Sequence, residues 1–130
     1  MDVTQRPTCL SWNLDGSLIG LCTEKDRRVP STFKILDPRA NEVVLSAECH
    51  KGNKKPKMTF MGQNKDYITT IGTTKRNKRE LILWDLRNTD TKVMSIQMNG
   101  MAQPYIDYVE DNDLIFTTSK GETGINIYEF

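Results

Sequence analysis

A module that recurs along the chain constrains the fold of these 130 residues more than any other feature. Each copy closes on an aliphatic or aromatic run followed by an acid, and the acids Asp37, Asp85 and Glu129 are spaced by 48 and then 44 residues. The middle copy ends in the dipeptide Trp84-Asp85. A repeat in the forties with this ending is typical of a β-propeller blade, a unit that packs against neighbouring blades in a ring. The sequence therefore predicts part of a propeller.

Short β-strand patterns fill the modules, and no stretch carries apolar residues at helical spacing over three turns. Turns rich in Gly, Asn, Asp and Pro separate them, including Asp15-Gly16 and Gly62-Gln63-Asn64. We predict eleven strands, at 8–12, 18–23, 32–36, 42–47, 57–60, 67–73, 80–85, 93–98, 105–109, 114–118 and 124–130. These give an all-β fold with two four-stranded blades and one three-stranded blade, at approximately 7–48, 49–98 and 99–130. A β-sandwich is the alternative, but the repeated order of turn types favours blades.

The three cysteines carry no metal signal, and the N-terminus carries no targeting signal. Cys9, Cys22 and Cys49 lack metal-ligand spacing, so we expect reduced thiols in a reducing compartment. Cys9 and Cys22 fall inside predicted strands, where a reduced thiol packs as a small hydrophobe. The first residues lack a signal-peptide pattern, and the longest apolar run, 18–22, is too short to cross a membrane. We expect a cytoplasmic protein.

The net charge of +1 hides an uneven distribution. Between His50 and Glu80 there are nine Lys or Arg against two acids, and from Met101 onward six acids against one Lys. Because consecutive antiparallel strands alternate in direction, turns after the first and third strands of a blade share one end, and the other turns share the opposite end. We call the end that holds the turns after the second and fourth strands the basic rim. Its cations are Lys25, Arg27, Arg28, Lys51, Lys54, Lys55, Lys57, Lys75, Arg76, Lys78 and Arg79.

The opposite rim is mostly acidic. Its turns carry Asp15, Asp37, Asp90, Glu110, Asp111 and Asp113, with Arg39 and Arg87 as the main cations. An Asp that ends a strand usually accepts hydrogen bonds from nearby backbone N–H groups, which is the role we expect for Asp15, Asp37 and Asp85. Trp12 and Trp84 lie on strands, and we expect both in the core.

Several segments in one order resemble the WD-repeat propeller of the coronins. They are 10–19, 35–39 and 82–85, with a final segment that runs from 103–107 through 119–122 to 127–130. The resemblance covers roughly 7–130 and implies about three consecutive blades of a seven-bladed propeller. It also implies a cytoskeletal protein that binds actin filaments and influences the complex that nucleates branched filaments. The loop at 24–31 is longer than the family's turn.

The resemblance also gives His50 a structural role. In WD repeats a histidine at this place hydrogen-bonds within the blade and helps to orient the tryptophan of the third strand, here Trp84. A catalytic or metal role would need further ligands at defined spacing, and the sequence has neither these nor a phosphate loop nor a nucleophile elbow. We therefore expect neither an enzyme nor a cofactor.

The basic rim is the candidate binding surface. Actin filaments are acidic, so a basic rim suits them, and such a surface speeds association and makes binding weaken with salt. The residues that we expect to contact a partner are Arg76, Lys78 and Arg79, followed by Lys54 and Lys55. The alternative is a WD-repeat scaffold in another assembly. Nucleic acid is disfavoured because the basic loops contain no aromatic residue. We also expect the blades to associate with further blades or with a second copy.

Overall fold

A computed structural model describes residues 3–62 and 66–129, which form three antiparallel sheets. The first has the order β1 (Pro7–Trp12), β2 (Ile19–Thr23), β3 (Ser31–Asp37) and β4 (Glu42–His50). The second has the order β5 (Lys57–Phe60), β6 (Tyr67–Thr73), β7 (Arg79–Asp85) and β8 (Asn88–Met98). The third consists of β9 (Pro104–Val109), β10 (Leu114–Ser119) and β11 (Asn126–Glu129).

The prediction of an all-β fold of eleven strands, grouped four, four and three, is confirmed. The helical residues in the described part of the chain are one 3₁₀ turn, Glu110–Asn112. The part of the 62–64 turn formed by Gln63 and Asn64, and the terminal Phe130, lie outside the described residues. No helix in the described ranges is long and apolar enough to cross a membrane.

Strand β8 differs most from its predicted bounds, because it begins at Asn88 rather than at Val93. Trp84 pairs with Lys92 and Asp85 pairs with Asn88, so the register of the β7–β8 ladder shifts twice over these residues. Such an irregularity accommodates extra residues in one strand without ending the pairing. Asp90 therefore lies on β8, and its predicted place in a turn of the acidic rim is wrong.

The core lies between the sheets. Its buried residues in the first and second sheets are Cys22, Phe33, Ile35, Cys49, Met58, Phe60, Ile68, Ile82 and Trp84. The rings of Phe33 and Trp84 are tilted, with centroids 5.3 Å apart, so β3 of one sheet meets β7 of the next. Gly20 of β2 allows β5 of the second sheet to lie close as well, since a Cβ there would lie 2.9 Å from Phe60 Cε2. The predicted core positions of Trp84 and Cys22 are confirmed, and Cys49 is buried there as well.

The prediction of a core position for Trp12 is wrong, because 58% of its surface is exposed. Side chains alternate across a strand, so Leu10 and Trp12 point away from the face that carries Cys9. Cys9 packs on the core, whereas Leu10 is 70% exposed. In the third sheet, Ile125 and Ile127 are 65% and 59% exposed. Apolar surface thus remains uncovered on the outward sides of the first and third sheets.

Candidate protein-binding surface

The loops of the basic rim are joined to each other by backbone groups. The Gly52 N–H donates to the Thr73 carbonyl at 2.7 Å, and the Lys54 N–H donates to Thr73 Oγ1 at 3.4 Å. The Asn53 N–H donates to Asn77 Oδ1 at 3.3 Å. The loop after β4 therefore lies against the loop after β6, as the strand alternation predicts. The two most basic loops form one surface across the boundary between the first and second sheets.

The loop between β6 and β7 has a defined turn geometry. Thr74 N–H donates to the Lys78 carbonyl and Asn77 N–H donates to the Thr74 carbonyl, both at 2.8 Å. Asn77 has φ 58°, a left-handed conformation that Asn tolerates better than most residues. Thr74 Oγ1 also accepts from the Lys78 N–H at 3.2 Å. The turn leaves Arg76 exposed at its tip.

Four of the five predicted contact residues are exposed at this end of the sheets. Lys54 and Lys55 lie in the loop after β4, and Arg76 and Lys78 lie in the loop after β6. None of the four forms an ion pair within residues 3–62 and 66–129. Their charges are thus directed to solvent.

Arg79 lies elsewhere, and the expectation that it contributes surface charge to the rim is corrected. It is the first residue of β7, and only 4% of it is exposed. Its guanidinium donates to Glu122 Oε2 at 2.9 Å and to Glu122 Oε1 at 2.5 Å, and its Nε donates to the Asn99 carbonyl at 2.9 Å. This bidentate pair joins the second sheet to the third. In the sequence, the net negative charge of the third module is the feature that indicates an acidic partner for Arg79.

A depression extends the basic rim toward the first sheet. It has a volume of about 270 Å³, and its lining includes the exposed cations Lys25, Arg27, Arg28, Lys51 and Lys75 together with Asp26 and Glu48. The Lys25 ammonium donates to the Lys51 carbonyl at 3.0 Å, which ties the long 24–30 loop to the loop after β4. The surface is therefore continuous from the first sheet to the second.

A buried hydrogen-bond network lies directly below these loops. Trp84 Nε1 donates to Thr70 Oγ1 at 2.8 Å. Thr70 Oγ1 lies 3.0 Å from His50 Nε2, and His50 Nδ1 lies 3.0 Å from Glu80 Oε1. One proton arrangement satisfies all three contacts: Thr70 donates to Nε2, and a neutral His50 donates from Nδ1 to the carboxylate.

The network refines the role expected for His50. His50 is 1% exposed and contributes to the blade as predicted, but it reaches Trp84 through the Thr70 hydroxyl rather than directly. Sequence reasoning missed Thr70 and Glu80. Thr70 is one of four threonines in the segment 69–74, and only the β6–β7 register, in which Thr70 opposes Ile82, selects it.

Burial sets the protonation of this network. Burial lowers the pKa of His50 below its usual 6.5, although the nearby Glu80 opposes the effect. Burial raises the pKa of Glu80, but the hydrogen bond from His50 and the charges around it outweigh burial and leave the pKa below 4.5. The network is therefore held as a neutral imidazole beside a carboxylate at neutral pH.

The acids of the opposite rim bind their own turns, as predicted. Asp37 Oδ1 accepts from the N–H groups of Arg39 and Ala40 at 2.9 and 3.1 Å. Asp15 Oδ1 accepts from the Ser17 N–H at 3.0 Å, and Asp85 Oδ1 accepts from the Arg87 N–H at 2.9 Å. The Arg87 side chain also holds the pKa of Asp85 below its usual value of 3.8. Within residues 3–62 and 66–129, no cluster of three or more His, Cys, Asp or Glu could hold a metal ion.

Comparison with known proteins shows which proteins have a sequence similar to this chain. No family model matches the sequence. Coronin-A of Dictyostelium discoideum is 33% identical over 126 residues, which cover 94% of this chain and 26% of that protein. Human coronin-2A is 31% identical over 121 residues, which cover 92% of this chain and 22% of that protein. The chain thus spans about a quarter of the length of these curated relatives.

Solved structures agree with the sequence matches. The WD40 domain of Toxoplasma gondii coronin superposes with a TM-score of 0.89 at 26% identity, over 99% of this chain and 33% of that one. A COPII outer-coat chain gives a TM-score of 0.77 at 14% identity, a likeness of fold alone. The sheets, their order and the Trp84 network define WD-repeat β-propeller blades. Together with the curated relatives, they show that the chain is a WD-repeat segment of the coronin type.

Proposed function

We propose that this segment binds actin filaments through the basic rim and acts, without catalysis, as part of a cytoplasmic regulator of the cytoskeleton. The observation that carries the proposal is the group of four exposed cations, Lys54, Lys55, Arg76 and Lys78, at one end of the sheets, which form no ion pair among the residues that the structure describes. The resemblance to coronins supplies the partner, and the acidity of actin filaments supplies the complementary charge.

The rim is suited to a protein partner because its loops are ordered before binding. The bonds from Gly52, Asn53 and Lys54 to the loop after β6 fix the relative positions of the two basic loops. A surface whose backbone is already ordered loses less conformational entropy when a partner binds. Exposed cations also accelerate the encounter with an acidic surface at low salt.

Arg79 supports this surface from below rather than by contact. Its pair with Glu122 and its bonds to Asn99 hold the start of β7 against the third sheet. The loop that carries Arg76 and Lys78 ends at this residue. We assign Arg79 the role of a positioning residue for the rim.

The exposed apolar faces of the first and third sheets are suited to a further blade of the same kind. The contact between the first and second sheets shows how such a face is covered, with Phe33 of one sheet against Trp84 of the next. The 14.9 kDa chain is therefore expected to associate in solution, with a second copy supplying the blade. Sedimentation equilibrium giving only a 14.9 kDa monomer at all concentrations would contradict this expectation.

Co-sedimentation of the purified chain with filamentous actin tests the function. The wild type is expected to pellet with filaments at low salt and progressively less as salt rises. The paired reversals Lys54→Glu/Lys55→Glu and Arg76→Glu/Lys78→Glu, one pair in each loop, should each reduce the pelleted fraction. A parallel spin without actin corrects for self-association.

Two outcomes would contradict the proposal. If the wild type failed to pellet with filaments at low salt, actin would not be its ligand, and the alternative of a WD-repeat scaffold for another assembly would be favoured. If the wild type bound but neither paired reversal weakened binding, filaments would be recognised elsewhere on the chain.

A further inference from the structure

Three thiols collect at the boundary between the first and second sheets. Cys9 of β1 and Cys22 of β2 are direct partners in the antiparallel register. Cys22 and Cys49, near the end of β4, are both members of the buried core, and Cys9 packs against it. All three cysteines are free. Their grouping was not evident from their separation in the sequence.

The register places one pair of thiols within reach of a covalent bond. Residues directly opposite each other in an antiparallel ladder have Cα atoms about 4.5–5.5 Å apart, and their side chains lie on the same face of the sheet. A disulfide needs Cα atoms about 4.4–6.8 Å apart. Cys9 and Cys22 therefore meet the requirement without any rearrangement of β1 and β2. Cys49 lies two strands away from Cys22 along the sheet, and its thiol also contacts that of Cys22, so Cys9 and Cys49 both adjoin the buried Cys22.

The two thiols of this pair differ in exposure and in acidity. Cys9 is partly exposed, whereas Cys22 is fully buried. The hydrogen bond from Cys22, with smaller contributions from backbone groups and Lys57, outweighs the opposing effect of burial and lowers the pKa of Cys9 to about 6. Burial raises the pKa of Cys22 well above its usual value. A thiol whose pKa is lowered thus lies beside a buried thiol whose pKa is raised.

We propose that Cys9 is a site of oxidation by hydroperoxides and that Cys22 is its resolving partner. The Cys9 thiolate attacks one oxygen of the peroxide, the O–O bond breaks, and the leaving hydroxide or alkoxide takes a proton, which leaves Cys9 as a sulfenic acid. The Cys22 sulfur then attacks the Cys9 sulfur, the S–O bond breaks, and water leaves with the Cys22 proton. With hydrogen peroxide, two thiols and one oxidant yield one disulfide and two waters.

Packing alone accounts for part of this cluster but not for its geometry. The tendency of cysteine to pack as a small buried hydrophobe explains Cys22 and Cys49, which are 0% and 6% exposed. This tendency does not explain why the partly exposed Cys9 lies directly opposite the buried Cys22. That juxtaposition is the arrangement of a reactive cysteine with a resolving cysteine.

Peptide mapping of the oxidised chain tests the proposal directly. A protease that cleaves before aspartate places the three cysteines in separate fragments, 2–14, 15–25 and 37–65. After brief treatment of the native chain with equimolar hydrogen peroxide, the non-reduced digest should contain 2–14 linked to 15–25, with Cys49 still free to be alkylated. Before oxidation, iodoacetamide at neutral pH should label Cys9 at least about tenfold faster than Cys49.

Variants separate this pair from the third thiol. Cys49→Ser should still form the Cys9–Cys22 disulfide, whereas Cys9→Ser should leave Cys22 and Cys49 reduced under the same treatment. The wild-type map needs no variant and so stands even if a substitution at a buried position prevents folding. Fragment 15–25 linked only to 37–65, or Cys9 oxidised to a sulfinic acid without any link, would overturn the assignment.

Discussion

The two ends of the sheets carry charge of opposite sign and use it in different ways. At the acidic rim, Asp15, Asp37 and Asp85 accept hydrogen bonds from the turns that follow them. At the basic rim, backbone and hydroxyl groups hold the loops together, while Arg76 and Lys78 have no ion-pair partner among the described residues. Charge at the acidic rim therefore stabilises local structure, and charge at the basic rim remains available for a partner.

The basic rim also depends on a network that the acidic rim lacks. His50 ends β4 and Glu80 is the second residue of β7, so their 3.0 Å contact joins the two strands just below the two basic loops. Thr70 and Trp84 continue the network into the core. The shape of the basic surface is thus coupled to buried polar groups, and changes below the surface should alter it.

The largest effect is expected from Thr70→Val, which keeps the side-chain shape and removes the hydroxyl. Trp84 Nε1 loses its acceptor and His50 Nε2 loses its donor, and each buried group left unpaired costs about 1–3 kcal/mol. We expect the free energy of unfolding to fall by about 2–4 kcal/mol in urea titrations.

Thr69→Val is the matched control for this change. Thr69 is also fully buried, but within the described ranges its hydroxyl donates only to the sulfur of Met61. Its free energy of unfolding should therefore fall by less than about 1 kcal/mol, because a thioether is a weak acceptor. Equal losses for the two variants would show that the network contributes nothing beyond an ordinary buried threonine.

A smaller loss is expected from Arg79→Gln, which removes the pair between the second and third sheets. Breaking this partly buried ion pair should lower the free energy of unfolding by about 1–3 kcal/mol, reduced by the 35% exposure of the Glu122 side chain. The control is Arg87→Gln at the acidic rim, whose ion pair with Asp85 is exposed and should matter less. A greater loss for Arg87→Gln in the same urea titration would contradict the positioning role of Arg79.

Acid should weaken the fold through the same network. Because burial lowers the pKa of His50 in the folded chain, the unfolded chain takes up a proton first as the pH falls below 6.5. Stability should therefore be complete above 6.5 and decline below it, with a further loss below 4.5 as Glu80 becomes protonated. In urea titrations at different pH, the free energy of unfolding of the wild type should fall between pH 6.5 and 4.5, and that of His50→Gln should not. An unchanged decline in His50→Gln would assign it to another group.

The smallest effect on stability is expected at the acidic rim. Asp37→Ala removes two bonds to turn N–H groups that water can replace, so the free energy of unfolding should fall by about 0.5–1 kcal/mol. Binding of filaments in the co-sedimentation assay should remain unchanged. A loss of binding by this variant would show that the acidic rim also contacts the partner.

The sequence predicts the strands and the rims well because both follow from local rules. β-branched residues between turn residues define a strand such as β6, whose bounds are predicted without error. The direction of consecutive strands then places the loops carrying Lys54 and Arg76 at one end. These features depend on the order of residues and not on which distant groups meet.

Contacts between sheets are harder to predict. The charge of Arg79 suggests a surface residue, but Glu122, 43 positions later, draws it into the boundary with the third sheet. The apolar character of Trp12 suggests the core, but its face of β1 is uncovered. The thiols of Cys9 and Cys22 meet only through the β1–β2 register. In each case the outcome depends on a partner that local sequence does not specify.

The difference between the two rims can be tested most directly by one pair of substitutions in one assay. Arg76→Glu changes an exposed residue of the basic rim, and Arg39→Glu makes the same charge change at an exposed residue of the opposite rim. At low salt, Arg76→Glu should weaken co-sedimentation with actin filaments by about fivefold or more, and Arg39→Glu should leave it near the wild-type value. Equal weakening by both variants would show that net charge, and not the basic rim, governs binding.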